Sequence, residues 1–100
     1  MGTVPSRFRP PLGAQLSALV QGDLPDLLVW VSRYGAAGAT LIEQPLEIWT
    51  HPLTQFASRQ DGSHFAALPL WTTTESPSDL TAEIEISTDG SVTITDVHVM

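Results

Sequence analysis

The stretch Leu80-Thr81-Ala82-Glu83-Ile84-Glu85-Ile86-Ser87-Thr88-Asp89-Gly90-Ser91-Val92-Thr93-Ile94-Thr95-Asp96-Val97-His98-Val99 decides the fold. Two β-rich runs flank Thr88-Asp89-Gly90, and a three-residue loop with Gly third fits a type I turn closed by a left-handed glycine bulge. Ser87 then faces Ser91, and the pairing runs outward. Ile86 meets Val92, Ile84 meets Ile94, Ala82 meets Asp96 and Leu80 meets His98. On the other side Glu85 meets Thr93, Glu83 meets Thr95 and Thr81 meets Val97. One face is apolar and the other polar, as a half-buried antiparallel sheet requires. Asp96 and His98 then finish the apolar side. A single bulge near Thr95 reverses that end, turning Val97 and Val99 inward and both polar residues outward.

Upstream the chain remains β. Leu53 to Ser58 and His64 to Thr73 flank a turn whose Asp61-Gly62 pair is a strong hairpin signal. Pro69 inside the second run marks a bulge or an unpaired position, because proline cannot donate to a ladder. A polar loop, Thr74 to Asp79, leads into the final hairpin.

The buried side of this sheet needs a cover, and the N-terminal third supplies it. Leu12, Leu16, Leu19 and Val20 recur on one helical face, with Pro10 and Pro11 suited to the first turn and Gly22 to the stop. A second helix opens at Pro25 and places Leu27, Leu28, Val31 and Tyr34 on one side, with Trp30 at the core's edge and Gly35 as its end. The short link between them predicts a helical hairpin. Residues 1–11 hold Pro5, Pro10 and Pro11 without apolar periodicity and read as an extended or disordered lead-in. Residues 36–52 leave two options open: Thr40 to Ile42 is a short strand or an approach to a turn, and Leu46 to His51 is a helical turn or a short strand. The expected fold is α+β. A helical hairpin packs on an antiparallel meander of three or four strands, in one domain over residues 12–100.

Composition excludes whole classes of function. The 100 residues carry 11 acidic side chains against four arginines, for a net charge of −7. Arg7, Arg9, Arg33 and Arg59 are too few and too scattered to release the counterions of a duplex, or to hold an anionic membrane. The absence of cysteine removes thiolate chemistry, disulfides and sulfur-ligated zinc. The absence of lysine removes Schiff bases and the Gly-Lys phosphate loop. No apolar stretch reaches the roughly 20 residues of a membrane span, so a soluble cytoplasmic protein is the expectation.

Asp96 and His98 are the leading site candidates. Two residues apart on one strand, they point the same way, and a carboxylate beside an imidazole orients a ligand or fixes a tautomer for acid–base work. Asp79 lies nearby in the polar loop, and Trp71 offers a pocket wall. The plainer reading makes Asp96 a partner of loop amides and Trp71 a core residue. Ser76 and Ser78 near His98 supply triad residue types, but no Gly-x-Ser-x-Gly elbow holds them. His64 and His98 sit at opposite ends of a meander, roughly 26 Å apart at 3.3 Å per residue, too far to share an ion. No metal site and no cofactor are expected. Glu83 and Glu85 on the outer face suit a basic partner. The C-terminal strand, β-branched and free of Lys and Pro, is either covered by Thr40–Thr50 or pairs as an unguarded edge with a second copy or another chain.

The residues Leu70-Trp71-Thr72, Ser78-Asp79-Leu80-Thr81 and Ile94-Thr95-Asp96-Val97-His98-Val99 resemble a group of small bacterial domains of unknown function. That group shares these three motifs after two helices. The likeness is closer over residues 70–99 than over 12–99, and implies that Trp71, Ser78, Asp79, Asp96 and His98 form a recurring cluster. The layout is also similar to cystatin-like or NTF2-like domains, a class that includes pocket proteins, small enzymes and dimerisation modules. The preferred function is a non-enzymatic interaction module, as a homodimer or with a protein partner at the C-terminal edge strand. The alternative is a small-ligand pocket protein or enzyme using Asp96 and His98.

Overall fold

Asp61-Gly62-Ser63 and Asp89-Gly90-Ser91 close two turns of the same build in the computed structural model, which describes residues 3–34 and 38–99. In each, the aspartate carboxylate accepts from the serine N–H at 2.9 Å and from the serine hydroxyl at 2.6 Å. Gly62 and Gly90 take φ of 91° and 90°, which a side chain would strain. These turns join β1 (Gln55–Ser58) to β2 (His64–Pro69) and β3 (Leu80–Ile86) to β4 (Val92–Val99). The sheet is a four-stranded antiparallel meander in the order β1-β2-β3-β4.

The inner face carries Phe56 of β1, Ala66 and Leu68 of β2, and Ala82, Ile84 and Ile86 of β3. On β4 it takes Val92 and Ile94 opposite Ile86 and Ile84, as the sequence pattern requires. The next step departs from the uninterrupted pairing. A bulge at Thr95 sets Glu83 against Asp96, Ala82 against Val97, Thr81 against His98 and Leu80 against Val99. Asp96 and His98 therefore leave the inner face and Val97 enters it, 1% exposed. The energetic reason is direct. Fully burying a valine stabilises by roughly 1.5–3 kcal/mol, whereas an unpaired buried carboxylate costs several kcal/mol. One unpaired residue in the ladder is the smaller penalty.

The cover is a helical layer rather than a hairpin of two equal helices. α1 (Arg9–Gln21) buries Leu12, Leu16 and Leu19. It ends at Gly22 in the left-handed conformation, with the N–H of Asp23 on the Ala18 carbonyl at 2.9 Å, a Schellman-type stop. The second helical segment is a 3-10 turn at Pro25–Leu27 followed by the five-residue α2 (Val29–Arg33). Five residues lie far below the length at which a helix sustains itself, so packing holds it. Val31 is buried, with Leu27, Leu28 and Tyr34 partly buried beside it. Trp30 does not close the core's edge; it stands 48% exposed. The expected stop at Gly35 lies outside the described residues. Both α1 and α2 pack on β4.

Part of the expected lead-in belongs to the packed structure. Val4 is fully buried, its N–H donating to the Trp49 carbonyl at 3.0 Å, and Phe8 closes a 3-10 turn at Ser6–Phe8 before α1. A helix-period reading that begins at Leu12 has no place for these two apolar residues. In the middle segment, Leu46–Trp49 is a 3-10 turn and Leu41 forms an isolated antiparallel bridge with Thr72. Gln44 completes this junction. Its side-chain amide accepts from the Trp71 N–H at 2.8 Å and donates to the Trp71 carbonyl at 3.0 Å, as a neighbouring strand would.

Candidate functional site

The bulge gathers the polar candidates on the outer face of the sheet. That face presents Gln55 and Ala57 of β1, Phe65, Ala67 and Pro69 of β2, Thr81, Glu83 and Glu85 of β3, and Thr93, Asp96 and His98 of β4. It divides along its length. The β1–β2 side is largely apolar and the β3–β4 side is acidic.

His98 and Glu83 are joined across this face, Nε2 to Oε2 at 2.5 Å, with both side chains partly exposed. The Glu83 hydrogen bond raises the His98 imidazole above its ordinary value, partial burial opposes the rise, and the Asp96 charge adds to it. Asp96 itself is exposed opposite Glu83. At the far end Arg59 forks onto Glu85 at 2.5 and 2.9 Å and lies over the Phe65 ring. That fork holds the Glu85 carboxyl below its usual range and neutralises that end.

Beside Thr81 the face sinks into a hollow of about 260 Å³ lined by Pro52, Leu53, Gln55, Ala67, Pro69, Ser78, Asp79 and Thr81. Ala67 at 9% and Thr81 at 7% exposure form its floor, although both point away from the core. Continuous burial along Ala66-Ala67-Leu68-Pro69 explains the unbroken apolar run of β2, since a strand covered on both faces loses its alternation.

Asp79 is fixed at the rim by its neighbours. Ser78 donates its hydroxyl to the Leu70 carbonyl at 2.7 Å and its N–H to the same oxygen at 2.8 Å. The Asp79 N–H donates to the Tyr34 hydroxyl at 3.2 Å, and that hydroxyl donates to Glu75 at 2.6 Å. The end of α2 thus pins the loop, and among the described residues Asp79 is the one carboxylate lining the hollow.

The sequence candidates separate. Asp79 lines the hollow, His98 stands beside its Thr81, and Asp96 lies one row further along. Trp71 does not wall it. Its ring is buried, edge-on to His51 at 5.4 Å, and its peptide is held by Gln44. Leu53, Gln55, Pro69 and Thr81 escaped the sequence reading; the apolar outer positions of β2 were the available signal.

The pair of His98 with Glu83 can hold and orient a proton; it joins β3 to the outer strand β4, with both side chains partly exposed. Among the described residues, no group of three or more His, Asp or Glu side chains is placed to hold a metal ion. His64 pairs with Ile86 and His98 with Thr81, at opposite ends of the sheet. Among the described residues no helix is long and apolar enough to cross a membrane.

A family model described as a domain of unknown function, DUF7668, matches residues 13–100. The chain belongs to this family. The resemblance drawn from the C-terminal motifs was thus to the right kind of family, a small domain of unknown function. No curated protein matches the chain. No solved structure matches it either.

Proposed function

We propose that this DUF7668 domain is a non-enzymatic protein-interaction module that meets its partner with the outer face of the sheet. One observation carries the reading. A face turned away from the helical cover combines an apolar side, including Ala57, Phe65, Ala67 and Pro69, with an acidic side, Glu83 and Asp96. A face that only met water would be polar throughout. Apolar anchors for burial beside charges for register are the ingredients of an interaction surface.

A second arrangement rests on β4, which is an outer strand of the meander. Its backbone edge suits a homodimer or another chain. The bulge at Thr95 and the exposed Asp96 act against it, because both features are used to protect edges.

The test is a peptide-display selection on the immobilised domain, followed by binding of enriched peptides to two variants. Ala67→Arg fills the outer hollow, and Thr95→Lys, at the bulge, guards the β4 edge. Loss of binding only in Ala67→Arg supports the outer face. Loss only in Thr95→Lys, with a concentration-dependent mass for the wild type, moves the interaction to the edge.

A further inference from the structure

We infer that the hollow beneath Asp79 accepts the side chain of an arginine carried by a protein partner; the inference rests on the outer-face reading and names what that face recognises. Size is the first argument. About 260 Å³ lies just under the roughly 300–1,000 Å³ of sites for drug-sized ligands, and suits one long side chain entering from an attached chain.

Chemistry is the second. Leu53, Ala67 and Pro69 supply apolar walls and floor for an aliphatic stem, and Leu53 stands 64% exposed at the hollow. At the rim, the Asp79 carboxylate, the Gln55 amide oxygen and the Thr81 hydroxyl are acceptors. Among the described residues none of these three side chains has a hydrogen-bond partner, whereas the neighbouring Ser78 hydroxyl is committed at 2.7 Å to Leu70 and accepts from the Leu80 N–H at 3.1 Å. A planar guanidinium on a three-carbon stem matches both halves: its stem lies along apolar surface and its fork meets a carboxylate.

Charge complementarity is the third. The domain carries a net −7, and Glu83 and Asp96 extend the negative field along the neighbouring strands. Three of the chain's own arginines are engaged: Arg7 over Phe8, Arg9 on the Val4 carbonyl at 2.9 Å and Arg59 on Glu85. Arg33 is the fourth; with most of the chain's own arginines committed, the cation is assigned to a separate protein.

The experiment titrates the isotopically labelled domain with two short blocked peptides, Gly-Arg-Gly and Gly-citrulline-Gly, while recording amide shifts. Citrulline keeps the shape and removes the charge. The expected result is saturable shifts at Gln55, Ala67, Asp79 and Thr81 with the arginine peptide, about tenfold or more weaker with citrulline or raised salt, and lost in Asp79→Asn. Equal binding of both peptides, or unchanged binding in Asp79→Asn, overturns the inference. Display-selected peptides that need the outer face but contain no arginine also overturn it while leaving the outer-face reading intact. Self-association that Asp79→Asn abolishes would give the hollow to a second copy and overturn the assignment to a separate partner.

Discussion

Glu83 faces Asp96 across the last two strands, where an uninterrupted ladder puts Thr95. Every later pair inherits that one-residue offset. Deleting Thr95 leaves each pair as it stands, because Ile94 would then be followed directly by Asp96. The deletion is expected to fold with Val97 still inside, at the loss of one hydrogen bond from the Thr95 hydroxyl to the Glu83 carbonyl at 3.2 Å. One such bond is worth about 1 kcal/mol, or a shift of roughly 4–8 °C in melting temperature. Thermal melting followed by circular dichroism checks this, and loss of the cooperative transition would show that the bulge is essential.

The centre of the core should be intolerant of truncation. Ile84 is fully buried between its partners Ala66 and Ile94. Ile84→Ala is expected to lower stability by about 2–5 kcal/mol, through lost burial and the cavity left behind. Urea unfolding measures it. A loss under about 1 kcal/mol would mean that the face is not packed as described.

The two Asp-Gly-Ser turns give a response to acid. Serine donors hold the Asp61 and Asp89 carboxyls below their ordinary range. Groups with depressed folded values stabilise above the unfolded value of about 3.9, and that contribution disappears as pH falls through the folded ones. The double variant Asp61→Asn with Asp89→Asn should therefore lose less melting temperature than wild type between about pH 5 and pH 2. Independently, Gly90→Ala should cost about 1–2 kcal/mol, the penalty of a left-handed backbone carrying a Cβ. Nothing lies within 4 Å of that Cβ, so the cost comes from the backbone alone.

Much of this fold was legible because its signals are local. Gly22, Gly62 and Gly90 take the left-handed conformation at the stops and turns assigned to them, and Ile84 and Ile94 pair as the alternation requires. The bulge was legible only as an alternative. The spacing Val92, Ile94, Val97, Val99 breaks a period of two by one residue. Deciding between inward valines and an inward Asp–His pair needs the energetic comparison, not the pattern. The hollow was not legible. It forms where Leu53 and the loop carrying Asp79 meet over β2, and that contact depends on Tyr34 and Ser78 anchoring the loop. Such long-range contacts leave no periodic trace. The misplaced role of Trp71 has the same origin, since its peptide is held by Gln44, 27 residues away along the chain.

The position of His98 tests the account most directly, by proton titration of its imidazole ring in the wild type and in Glu83→Gln. On the outer face, beside Glu83, the ring titrates reversibly with a midpoint above about 6.5, and Glu83→Gln lowers that midpoint. The sign follows for stability. A group raised in the folded state stabilises fully below its unfolded value, and that contribution is lost as pH climbs through the folded one. His98→Gln should accordingly narrow its deficit to wild type as pH rises. A His98 ring that does not titrate would put the imidazole back among the core residues and contradict the bulge and the outer face together, and a midpoint that ignores Glu83→Gln would contradict the pairing of His98 with Glu83.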